Sequence, residues 1–151
     1  MAGKTKKTIL FSILVIILIA TVIGYKMYNK KHFNVENSQP AATISAVELH
    51  NTFTTDSILA KNKFIGDEVN HKVIQVDGEI TDIKKDQQGN TIILLKTATD
   101  GAFINCTMEG ATEARVVGNK IAVKGICTGY NFDADMGIPG DVILTRCFIT
   151  K

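Results

Sequence analysis

The stretch Lys72–Asp86, KVIQVDGEITDIKKD, decides how the rest of the chain is read. Ile74, Val76, Gly78 and Ile80 fall on one face of an extended strand, with Gln75, Asp77, Glu79 and Thr81 on the other. The parity then breaks, because the next apolar residue is Ile83, three positions on instead of two. A long strand with a central glycine and a parity slip is one that bends, so that its two halves can join different pairings. Small closed barrels need such a strand.

Outward from it, the chain supplies the other staves. Gln87-Gln88-Gly89-Asn90 reads as a turn, Thr91–Lys96 (TIILLK) as a second strand and Ala102–Met108 (AFINCTM) as a third. Gly110–Val117 has room for a helical turn or two. Asn119–Tyr130 (NKIAVKGICTGY) aligns Ile121, Val123, Gly125 and Cys127 as a fourth strand, and Asp141–Thr150 (DVILTRCFIT) is a fifth. Ahead of the barrel, Ser45-Ala-Val-Glu48 has the S-x-x-E spacing of a capping box and opens a helix carrying Leu49 and Phe53. Asp56 can cap a second short helix holding Ile58, Leu59 and Phe64, with Gly66 placed to end it. Three strands, a helix and two strands is the chain order of an OB-fold, a five-stranded Greek-key barrel. The expected class is therefore mainly β, an OB barrel with two short N-terminal helices.

The N-terminus has a different character. From Thr8 to Tyr25 the run TILFSILVIILIATVIGY carries no charge and shows no polar stripe. As a helix it spans about 27 Å, close to the thickness of a bilayer's hydrocarbon. A cleavable signal peptide is the competing reading, but Val22-Ile-Gly24 is a poor cleavage site and no lipid-accepting cysteine follows. The chain thus divides into a basic tail (1–7), a transmembrane anchor (8–28), a linker (29–43) and the barrel domain (44–151). Three lysines precede the span and three follow it, so charge does not orient it. The three cysteines in the domain favour an oxidising exterior and hence a single-pass, N-in, domain-out arrangement.

The formal charge of +2 conceals an asymmetry. Six lysines lie among residues 4–31, which leaves eleven Lys and Arg against fifteen Asp and Glu in residues 32–151, net −4. An acidic domain without tryptophan, and with Phe103 as the one aromatic on its second and third strands, argues against binding single-stranded nucleic acid. Catalysis is not expected either. His32, His50 and His71 neighbour neither a nucleophile elbow nor carboxylates at metal-ligand spacing. Asp133-x-Asp135-x-Gly137 departs from a calcium loop in its glycine position and in lacking the terminal glutamate. No cofactor or metal is expected.

Several segments resemble the tRNA-anticodon-binding-domain-like family of exported or membrane-linked bacterial OB-fold proteins. They are ISAVELHNTF (44–53), KVIQVDGEI (72–80), INCTM (104–108), VKGICTGY (123–130) and VILTRCFI (142–149), with the paired G-x-C-x-G and L-x-x-C elements the most specific. The resemblance covers about residues 44–149 and implies the fold, an exterior location and no assigned enzymatic activity.

The functional expectation is a noncatalytic, monomeric binding or scaffolding module at the outer face of a membrane, engaging a protein partner. The alternative is a barrel that senses a small molecule or oligosaccharide. In both, the loop between the fourth and fifth strands is the candidate contact surface, through Asn131, Asp133, Asp135 and Asp141. The spatial order of an OB barrel, 1-2-3-5-4-1, separates Cys106 from Cys127 and sets Cys147 beside both. A disulfide would therefore contain Cys147, and Cys127–Cys147 is the expected pair because their strands are consecutive. Three reduced core thiols remain the alternative.

Overall fold

A computed structural model describes residues 15–25, 33–67, 71–109, 115–133 and 137–150. The chain divides into two units, residues 1–33 and 34–151. In the first, residues 15–25 are helical with their apolar side chains exposed. These eleven residues rise only about 16 Å. Among the described residues no helix is long and apolar enough to cross a membrane. The remainder of the expected span, 8–14 and 26–28, lies outside the described residues.

The second unit is built on β2 (Val73–Lys85), and the bend read from its parity is a real one. Val73–Glu79 pairs antiparallel with β5 (Lys120–Asp133), whereas Ile80–Lys85 pairs antiparallel with β3 (Thr91–Lys96). Between Ile80 and Asp82 the register shifts, and Thr81 is the extra residue. Ile80 and Ile83 therefore both reach the core despite their three-residue spacing.

From β3 the sheet continues through β4 (Phe103–Met108) to β6 (Ile138–Ile149), then β5, and back to β2. The β4–β6 pair is parallel and the others antiparallel. Five strands thus close on themselves in the order expected of an OB barrel. Of the helix expected at 110–117, residues 110–114 lie outside the described residues. Residues 115–119 are irregular and include a turn.

Two capped helices pack against the barrel. In α1 (Ala46–Thr55) the Glu48 amide donates to Ser45 Oγ at 3.2 Å, and Leu49 and Phe53 face inward. In α2 (Ser57–Phe64) the amides of Ile58 and Leu59 both donate to Asp56 Oδ1. Its buried residues are Ala60 and Phe64, while Ile58 and Leu59 face solvent. Nor does Gly66 end it, since Ile65 caps the helix in an extended conformation. Helix α1 touches β2, β3, β4 and β6 and so plugs one end of the barrel.

Gly78 has a different use from the one its place in a bending strand suggests. The bend falls two residues later, and Gly78 instead admits the start of α1. A Cβ there would sit 3.0 Å from Ala46 Cβ and 3.1 Å from Leu95 Cβ.

The stretch assigned to a linker also contributes structure. Ala42–Ser45 forms β1, parallel to the first half of β2. Before it, Val35 is buried with Val73 and Ile126 in a second apolar cluster, against which Phe148 packs. Lys124 Nζ donates to the carbonyls of Glu36 and Ser38, at 2.6 and 2.9 Å. One buried valine and one lysine clamp this polar segment onto the sheet.

Two substitutions test these contacts. Val35→Ala removes a fully buried side chain and should cost roughly 1.5–3 kcal/mol in urea unfolding. A change within 0.5 kcal/mol would show that the segment is not docked. Gly78→Val should cost about 1–3 kcal/mol by overpacking against Ala46 and Leu95. A neutral result would mean that α1 does not approach β2 so closely.

Candidate functional site

Beyond the barrel wall, β5 and β6 continue as a two-stranded ribbon. The sequence reading places a loop over residues 131–140, but Asn131 pairs with Asp141 and Asp133 with Ile138. Of the four candidate contact residues, Asn131 is exposed on the ribbon. Asp141 accepts a 2.9 Å hydrogen bond from the Phe103 amide and so anchors the start of β4. Asp133 is the last residue of β5, and Asp135 lies outside the described residues.

The ribbon's base is fixed by a close approach. A Cβ on Gly140 would overlap the Asn131 carbonyl, so the two strands can meet there only with glycine. Gly140 in turn is held by α1, where His50 Nε2 lies 3.1 Å from its carbonyl oxygen. A carbonyl only accepts, so Nε2 carries the proton. Nδ1 is buried and without a hydrogen-bond partner among the described residues.

Alternation along β5 places Tyr130 and Phe132 on one face of the ribbon. Tyr130 meets the edge of the His50 ring and packs on Phe53, with centroids 5.6 Å apart, while Phe53 packs on Phe64. Phe132 stacks on Tyr130 at 6.1 Å and 12° and is 52% exposed. These rings form a column that runs from the core to the surface.

Beside it opens a cleft of about 490 Å³, lined by Phe53, Thr54, Thr55, Ser57, Lys61, Tyr130, Phe132 and Gly137. That volume suits a small ligand or one side chain of a larger partner. The described lining offers an aromatic ring platform, the aliphatic hydroxyls of Thr54, Thr55 and Ser57, and one ammonium, which are groups for stacking and hydrogen bonding.

Sequence reasoning missed this column because it looked for aromatics on the second and third strands. The Tyr130-x-Phe132 spacing at the end of the fourth was the available signal. Its partner Phe53 comes from a helix 77 positions earlier in the chain.

The three cysteines are free and buried in the barrel core. Cys147 lies on β6 between the strands of the other two, as the order requires. The inward residues of β6 are Val142 and Leu144, not Ile143. Arg146, at φ 54, resets the parity so that Cys147 also points in, and its guanidinium pairs with Glu109 at 2.9 Å. The neighbouring Cys106 thiol, followed by burial, pushes the Cys147 thiol well above the usual range. Burial pushes the Cys127 thiol up to about 12.

Known proteins give the following matches. A solved lipoprotein of Klebsiella pneumoniae subsp. pneumoniae MGH 78578, named as a proposed nucleic acid-binding protein, is 20% identical; the match covers 72% of this chain and 91% of that one, with a TM-score of 0.46. No curated protein matches the chain. The sequence pattern of the tRNA_anti-like family matches residues 1–138, and the chain belongs to that family.

Proposed function

We propose that this chain is a noncatalytic binding module that receives its partner on the aromatic platform at the β5–β6 ribbon. The observation that carries the proposal is Phe132, half-exposed and stacked on Tyr130 at the mouth of the cleft. An exposed ring stacked on a packed one loses little freedom on binding and offers a large apolar contact. The partner in this reading is a protein that inserts an apolar side chain.

A membrane tether belongs to the same proposal. The uncharged run at 8–25 supports it, as do the exposed apolar side chains of the helix at 15–25. The domain then lies outside, with the N-terminus in the cytoplasm.

A second reading is favoured by the hydroxyls of Thr54, Thr55 and Ser57 around the ring platform. A saccharide ring can stack its C–H face on Phe132 while its hydroxyls bond to theirs. A phosphate-rich polymer fits less well, since residues 32–151 carry net −4.

A benzophenone amino acid in place of Phe132 should crosslink to a discrete protein in membranes. The same group in place of Val117, an exposed apolar residue before β5, should give none. Adducts at 117 and none at 132 would overturn the reading. Phe132→Ala should leave stability within about 0.5 kcal/mol. Saturable thermal stabilisation by a glycan, lost in Phe132→Ala, would select the saccharide over the protein.

A further inference from the structure

The aromatic cleft has a neighbour across α2. Thr55, the last residue of α1, lines both it and a second cleft of about 510 Å³, which Val47, Glu48, Asp56 and Leu59 also line. The helix between them is a ridge, with Ala60 and Phe64 buried beneath it. At about 100° per residue, Ser57 and Lys61 fall on one flank and line the aromatic cleft. Leu59 falls on the opposite flank and lines the second cleft, and Ile58 stands on the crest. Val47, Ile58, Leu59 and Phe132 are all exposed. They mark a continuous apolar path over the helix, where an ordinary surface scatters such residues singly.

The charges along this path are sorted. Lys61 is the cation in the described lining of the aromatic cleft, whereas Glu48 and Asp56 make the second cleft acidic.

We propose that the partner is a protein that lays an extended segment across α2 and fills both clefts. One apolar side chain stacks on the Phe132 platform, and a second, about four residues away, enters between Val47 and Leu59. An acidic residue of the segment faces Lys61, and a basic one faces Glu48 and Asp56. This rests on the reading of the aromatic platform as a binding site and adds the shape and charge of what it receives.

The dimensions select the occupant. A helix with its side chains is about 10 Å across, so α2 holds the clefts about that far apart. An extended chain advances about 3.3 Å per residue and turns every second side chain to the same face, so positions four apart span the ridge. A helical partner is too stiff to follow that path, because it would rest on Ile58 and bridge above both clefts. A neutral saccharide can stack on the rings but leaves the sorted charges and the Val47–Leu59 cleft unused.

The test uses the full chain in membranes, with a benzophenone amino acid in place of Leu59 in one variant and of Phe132 in another. Both should crosslink to the same protein, and mass spectrometry should place the two adducts within about six residues of each other on it. Leu59→Asp puts a carboxylate into the second cleft. Combined with the photoreactive group at 132, it should cut that adduct at least about fivefold, as the loss of one anchoring side chain does. Lys61→Glu should cut it as well. Both residues are exposed, so circular dichroism and the thermal midpoint should stay close to the parent's. An adduct at 132 with none at 59 would overturn the two-cleft docking and leave the platform standing. So would adducts to two different proteins, to distant segments of one protein or to a second copy of this chain at 59. So would an undiminished adduct at 132 in folded Leu59→Asp and Lys61→Glu. No adduct at either position would overturn the platform along with it.

Discussion

Everything in the domain depends on β2 being bonded to two different strands along its length. A sheet of five strands has two edges unless one strand satisfies both, and exposed edges invite pairing with other chains. The bulge at Thr81 resolves this. Before it, β2 pairs with β5 on one edge and β1 on the other; after it, with β3. With the circuit closed, β6 must lie between β4 and β5, and the parallel β4–β6 pair follows. The thiol cluster and the ribbon's starting direction are consequences of that closure.

The ribbon shows how a rigid scaffold presents a binding surface. Its base is fixed by the Gly140–Asn131 approach and by the His50 contact from α1. Tyr130 is gripped between His50 and Phe53, and Phe132 is stacked outside it. The exposed ring is therefore positioned by the core through two intervening aromatics. Nδ1 of His50, buried without a hydrogen-bond partner among the described residues, is the polar cost of that arrangement.

How much of this was legible in the sequence varied with the range of the interaction. The bend in β2 was legible because a bulge changes the spacing of apolar residues, here from Ile80 to Ile83. The strand order followed from the order of elements. β1 was hidden because four residues carry no usable period, and its partners on a parallel strand lie 32 positions away. Val35 was hidden in a polar stretch for a similar reason. The inward side of Cys147 was not legible, because strict alternation would group it with Ile143, and only the positive φ of Arg146 sets it on the face of Leu144. The cleft joins residues from α1, α2 and β5, and no local pattern brings those together.

The central claim is that β2 closes the barrel, and cross-strand nuclear Overhauser contacts test it most directly. In one sample, backbone contacts should appear between Val76 and Val123, between Ile83 and Ile93, and between Cys106 and Leu144. Contacts of β2 with β3 but none with β5 would describe an open sheet and contradict the account.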